Sequence, residues 1–114
     1  MTPEESVRQL LIEFFRKEKG ISKNYIGVEK SFKINDRLKR FDVLIFDESH
    51  HPIMLIECKS PKVKINQDTF EQVAWYNYHF KVPYLLVSNG LVTYCCSIDY
   101  DKKEFSFMDK IPDF

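Results

Sequence analysis

Arg40-Phe41-Asp42-Val43-Leu44-Ile45-Phe46 and, a few residues on, Ile53-Met54-Leu55-Ile56-Glu57-Cys58-Lys59 decide how this chain is read. Both runs are apolar enough for central strands, and both carry charge where a buried strand should not. An unpaired carboxylate or ammonium is costly to bury, so Asp42, Glu57 and Lys59 need a partner or a metal. Residues two apart on a strand point to one face, so Glu57 and Lys59 project together and Cys58 projects the other way. Between the runs, Asp47-Glu48-Ser49-His50-His51-Pro52 reads as a turn. The two strands then pair as a hairpin, and Asp42 stands near Glu57 on the face shared with Lys59.

Working outward, Thr2-Pro3-Glu4-Glu5 is a helix start, with Thr2 as cap and Glu5 completing a capping box. Val7, Leu10, Leu11, Phe14 and Phe15 recur at helical spacing and Gly20 is a stop, which predicts a helix over 3–19. Strands follow over 25–34, 38–46 and 53–59, joined by short turns into an antiparallel meander. Ser60-Pro61 breaks the third strand. A second helix runs from about Asp68 to His79, capped near Asn66 or Asp68, with Phe70, Val73, Ala74, Asn77 and Phe80 along one stripe. Tyr84–Ser88 is a short strand covered on both faces, Asn89-Gly90 a hairpin turn, and strands over 91–98 and 104–108 close the chain. The order α-β-β-β-α-β plus a C-terminal β-hairpin predicts one α/β domain, residues 1–114, whose mixed central sheet is flanked by helices.

Composition limits the function classes. With 114 residues, 44% apolar and 15% aromatic, the chain is long enough for one core and not disordered. No apolar run approaches the roughly 20 residues of a membrane span, and the N-terminus lacks the pattern of a signal peptide, so a cytoplasmic setting is expected. Cys58, Cys95 and Cys96 make neither a disulfide framework nor a zinc site, and read as buried strand residues. The 17 basic and 17 acidic residues cancel, which excludes coating of nucleic acid by bulk charge but leaves room for a local basic surface. No phosphate-binding GxxxxGK[ST] loop occurs, so the chain shows no sign of an ATP-driven motor. His50 and His51 read as exposed turn residues and His79 as a surface residue; one histidine without a partner makes no metal site. Of the aromatic stretch Trp75, Tyr76, Tyr78 and Phe80, core packing is expected for Phe80 and part of Trp75, with stacking on unpaired bases as the functional alternative.

Two carboxylates plus a carbonyl and water form a hard oxygen site suited to Mg²⁺, with Lys59 as a positive charge beside it. The bland alternative is a cross-strand salt bridge from Asp42 or Glu57 to Lys59, which an isolated D…ExK pattern often is. The arrangement resembles the PD-(D/E)xK nuclease superfamily, whose common core is αβββαβ. More narrowly, it resembles the N-terminal nuclease domain of type I restriction enzyme R subunits. Arg40–Ile45, Met54–Lys59, Gln72–Tyr76 and Leu85–Gly90 carry the likeness in order, over roughly residues 5–100. Phe41 departs from the proline of the superfamily name.

The resemblance implies a metal-dependent DNA endonuclease with a restriction-endonuclease-like fold. It implies Asp42 and Glu57 as metal-binding acids, the Cys58 backbone carbonyl as a third protein oxygen, and Lys59 as the catalytic lysine. Gln72 and Tyr76 match a QxxxY helix motif that orients the active site or contacts DNA. Relatives often add a first-helix glutamate; Glu13 is the candidate here, with Glu29 of the first strand as a second. Mg²⁺ is the implied cofactor, with Mn²⁺ able to substitute. The implied partners are DNA and a helicase/translocase motor or restriction-modification subunits, with no membrane, and a homodimer would serve cutting of both strands. An RNA nuclease or a branched-DNA resolvase would use the same residues. A catalytically inactive nucleic-acid-binding or scaffold module of the same fold is the reading from another class.

Overall fold

The computed structural model of the protein describes residues 2–34, 37–76 and 81–113. The predicted order of elements is found: α1 (Pro3–Lys17), a short 3₁₀ turn (Lys23–Tyr25), β1 (Ile26–Ile34), β2 (Arg37–Phe46), β3 (Pro52–Cys58), α2 (Gln67–Tyr76), β4 (Tyr84–Ser88), β5 (Thr93–Asp99) and β6 (Glu104–Met108). All six strands form one sheet in chain order. Four of its pairings are antiparallel, and β3 with β4 is parallel because α2 carries the chain back across the sheet. The C-terminal hairpin is thus an extension of the same sheet rather than an appendage.

The local chemistry explains where elements start and stop. Both halves of the Thr2/Glu5 capping box are present, and Gly20 takes φ 68° just beyond α1, which ends two residues sooner than expected. Asn66 caps α2: its Oδ1 accepts the Thr69 N–H at 2.9 Å. Residues 77–79 of the expected second helix, His79 among them, lie outside the described residues. Lys59 falls one residue beyond β3. Asn89-Gly90 does not form a two-residue turn. The connection runs from Asn89 to Val92, with the Asn89 side chain accepting the Leu91 and Val92 N–H groups at 2.9 and 2.7 Å.

Strand alternation sorts the core into two layers. Leu44, Leu55, Leu85, Val87 and Cys96 face α2, where Phe70 and Ala74 are fully buried among them. Val43, Ile45, Met54, Ile56, Cys58, Leu86 and Cys95 face α1, against Val7 and Phe15. A buried Phe contributes about 2–3 kcal/mol, so Phe15 and Phe70 are the main fastenings of the two helices. The alternation slips once. Phe41 packs on the α2 side with Leu44, although Val43 beside it packs on the α1 side. The residue between is Asp42. No helix among the described residues is long and apolar enough to cross a membrane.

Candidate functional site

The β2–β3 ladder pairs Ile45 with Met54, Leu44 with Leu55 and Val43 with Ile56. One more step would set Asp42 against Glu57, as the sequence suggests, but the pairing stops there and the strands part. The Asp42 carboxylate fills the gap: Oδ2 accepts the Cys58 backbone N–H at 2.8 Å. A charge-assisted bond of this kind contributes about 1.5–3 kcal/mol, and it holds both strands while they diverge. Asp42 Oδ1 accepts no hydrogen bond among the described residues.

Across the other edge of β2 the same break occurs. Val28 pairs with Val43 and Lys30 with Phe41, and the positions between, Glu29 and Asp42, are skipped. Glu29 has φ 52°, a left-handed conformation uncommon for a residue with a side chain. Its carboxylate meets the Arg8 guanidinium of α1, Oε1 to Nη1, at 2.7 Å.

These breaks open a cleft of about 390 Å³ beside the start of α1, lined by Thr2, Glu4, Glu5, Arg8, Glu29, Asp42 and Cys58. Four carboxylates there face one guanidinium. The Cys58 thiol reports the field: its pKa is pushed up to about 12, first by burial and then by Asp42, with Arg8 opposing and Glu57 and Glu4 adding. A thiol so firmly protonated is no nucleophile. Arg8 is held awkwardly. Its side chain is only 16% exposed, and its Nε is buried without a hydrogen-bond partner. An unmet buried donor costs about 1–3 kcal/mol.

Lys59 leaves β3 with its backbone N–H donated to the Ser88 carbonyl at 2.8 Å, and no ion pair joins its ammonium to Asp42 among the described residues. The expected salt bridge between those two is therefore not what they are for. Beyond Lys59, Asn89 reaches the next loop and donates Nδ2 to the Val63 carbonyl at 2.8 Å. The Ser88 hydroxyl shares a 2.8 Å bond with Thr93 and accepts the Gly90 N–H at 3.0 Å. Ser88 and Asn89 are both buried, and together they anchor the chain that carries Lys59.

The structure brings together some expected residues and not others. Asp42, Glu57, Cys58 and Lys59 cluster at the divergent end of β3. Glu29 shares the Asp42 cleft; Glu13 does not. Glu13 is exposed, 3.8 Å from Lys17, and lines a different cleft with Arg16 and Gly20–Lys23. The first-helix acids at the Asp42 cleft are Glu4 and Glu5, which sequence reasoning assigned only to helix capping. Arg8 was missed altogether, although it had a signal: it stands three and seven residues before Leu11 and Phe15, a cation on the apolar stripe of α1. Gln72 is exposed on α2, on the side away from Phe70 and Ala74, and does not line the cleft. Tyr76 ends α2, and its side chain lies outside the described residues, as does that of Trp75. His50 is exposed, with its ring 5.4 Å from that of Tyr25, and His51 sits 3.7 Å from Asp47.

Among the described residues no group of three or more His, Cys, Asp or Glu side chains has metal-binding geometry. What the site offers is a pair of carboxylates, Asp42 and Glu57, and the backbone carbonyl of Cys58. All are hard oxygen donors, which fits Mg²⁺, an ion that keeps several waters and takes only one or two carboxylates.

Against known proteins, residues 3–112 match the family model of the type I restriction enzyme R protein N terminus. No curated protein matches the chain. Among solved structures it is similar to a fragment assigned as an HsdR subunit of a type I restriction enzyme from Vibrio vulnificus YJ016, with a TM-score of 0.61 and 18% identity. That match covers 97% of this chain and 24% of the other, and at this identity it speaks for the fold.

Proposed function

The chain belongs to the family of type I restriction enzyme R protein N termini, and from that premise we propose that it is a Mg²⁺-dependent DNA endonuclease domain of the PD-(D/E)xK kind. The observation that carries this reading is the parting of β2 and β3 at Asp42 and Glu57. The Asp42 carboxylate is bonded to the Cys58 N–H, one oxygen is left over, and Lys59 follows at once. An ordinary hairpin has no need to break its ladder beside two carboxylates.

Asp42, Glu57 and the Cys58 carbonyl would hold Mg²⁺, with Mn²⁺ as a substitute. When bound, the ion supplies the positive charge that polarises the scissile phosphate and acidifies a neighbouring water. Asp42 does its part by position, since the Cys58 N–H fixes the carboxylate and no reorganisation is needed when substrate arrives. Lys59, tethered through its backbone to Ser88, places an ammonium where negative charge grows on the phosphate. Glu29 and the first-turn acids Glu4 and Glu5 keep the cleft negative and favour cation capture. Gln72 and Tyr76 on α2 serve to contact or orient DNA. The motor and the modification subunits that a restriction complex requires would be supplied by other polypeptide, and a homodimer would bring two sites to the two strands.

The second reading, a module of this fold that binds without cutting, is favoured by one observation: three acidic groups do not converge at ligand spacing among the described residues. One experiment separates the two. Supercoiled plasmid and single-stranded DNA are incubated with Mn²⁺ and the native chain, Lys59→Ala or Asp42→Asn. Cutting by the native chain that falls at least about a hundredfold in both variants supports the nuclease. A folded native chain that neither cuts nor shows a metal-induced thermal shift sinks it.

A further inference from the structure

Arg8 is the one cation lining the acidic cleft, and its seating there is incomplete. One guanidinium nitrogen reaches Glu29, while Nε is buried with no partner. A side chain serving only to tie α1 to β1 would be expected to place both its donors. An arginine compensating a site that will later receive another cation has no such need, because its position is temporary.

The remaining charges lining the cleft are Glu4, Glu5, Glu29 and Asp42, which repel one another at close range in the absence of a counter-charge. Arg8 comes from the buried stripe of α1 and stays within electrostatic reach of Cys58, as do Asp42 and Glu57. It therefore neutralises the same field that a divalent ion at Asp42 and Glu57 would neutralise.

We propose that Arg8 is a built-in counter-ion of the metal-free cleft, which competes with the divalent cation and moves off when the cation binds. The idea rests on the metal-site reading above. Arg8 is a positioning residue in this scheme. It sets how tightly metal is held and keeps the acidic cleft folded without it.

The test is Mn²⁺ titration by calorimetry, with no DNA, on the native chain, Arg8→Met, Arg8→Lys and Asp42→Asn, each checked for folding by circular dichroism. Arg8→Met removes the competing charge and should bind Mn²⁺ about tenfold more tightly or better, while Arg8→Lys keeps the charge and stays near the native affinity. The metal-free Arg8→Met chain should also melt lower than native, with the deficit reduced by adding Glu29→Gln. In the native chain, the Arg8 Nε–H followed by nuclear magnetic resonance should exchange with water faster once Mg²⁺ is added. That second readout does not depend on any variant folding. Native binding with unchanged or weaker affinity in Arg8→Met, or an Nε–H indifferent to Mg²⁺ that binds, overturns the counter-ion role alone. No binding by any of these chains overturns the metal site itself, and this inference with it.

Discussion

The two ends of the β2–β3 pair are each governed by an aspartate, and the two are used differently. At the turn, one oxygen of Asp47 accepts the Ser49 and His51 N–H groups, both at 2.9 Å, within five residues of chain. At the other end, Asp42 accepts one N–H, from Cys58, across sixteen residues of sequence. Asp47 lies among neighbours of its own loop, while Asp42 lines a cleft with three glutamates and an arginine. The first carboxylate is occupied in closing a local turn. The second has a spare oxygen and looks into a negative field, an arrangement that makes sense when a cation is expected.

The sharpest way to break this contrast is to remove charge at both ends without removing the hydrogen-bond acceptor. Asp42→Asn should reduce Mn²⁺-dependent cutting by about 10²–10³-fold with a melting temperature near native. Asp47→Asn should leave cutting within about twofold. If both variants cut alike, the two aspartates are not functionally distinct.

Truncation sharpens the structural side. Phe15→Ala should cost about 3–5 kcal/mol in denaturant unfolding, since it empties the α1 side of the core. Asp42→Ala comes next, at about 2 kcal/mol, because the Cys58 N–H is left without an acceptor. Asp47→Ala should cost about 1 kcal/mol, in the range of lost capping groups.

Titration gives the smallest effects, on opposite sides of neutrality. The thiols of Cys58, Cys95 and Cys96 are raised by burial from 9.0 to about 12, 11 and 12. The folded state therefore holds their protons where the unfolded chain releases them. Their contribution is whole below pH 9 and is lost as pH climbs toward 11–12, so unfolding midpoints should fall over that window. The same thiols should resist alkylation at pH 8 until the chain is unfolded. Asp113 is lowered by its hydrogen bond and ion pair with Lys19, 2.7 Å away. Its contribution is present above the ordinary value of 3.8 and fades as pH drops below it. Asp113→Asn should flatten that acid limb slightly.

The order of elements was legible because strand and helix periodicities are strong in this chain and its turns are chemically marked. The two-layer core could be read for the same reason, from Met54, Leu55 and Ile56 alternating between faces. Asp42, Glu57 and Lys59 stood out as charges inside apolar strands. The cleft around them was not legible, because it depends on a slip in alternation at Asp42 and a left-handed Glu29, neither of which leaves a periodic trace. Glu13 was a reasonable choice by helix face, but α1 meets the sheet at the cleft through its first two turns. Glu4, Glu5 and Arg8 are therefore the residues it delivers. Ser88 and Asn89 could be seen as turn formers, yet their grip on the Lys59 loop is a long-range contact with no local signature.

The parallel pairing of β3 with β4 also has a consequence for the order of assembly. The meander β1–β2–β3 closes through short turns, whereas β3 meets β4 only after the whole segment from Cys58 to Tyr84 has been looped out and α2 laid across it. Contacts of such long sequence separation carry a larger closure entropy and form late. The tether of Lys59 to Ser88 belongs to that late step, while the pairing that brings Asp42 toward Cys58 belongs to the early one. A nascent chain released before Ser88 would have its metal-facing acids in place and its lysine adrift. Competence for chemistry would then mark the last act of folding.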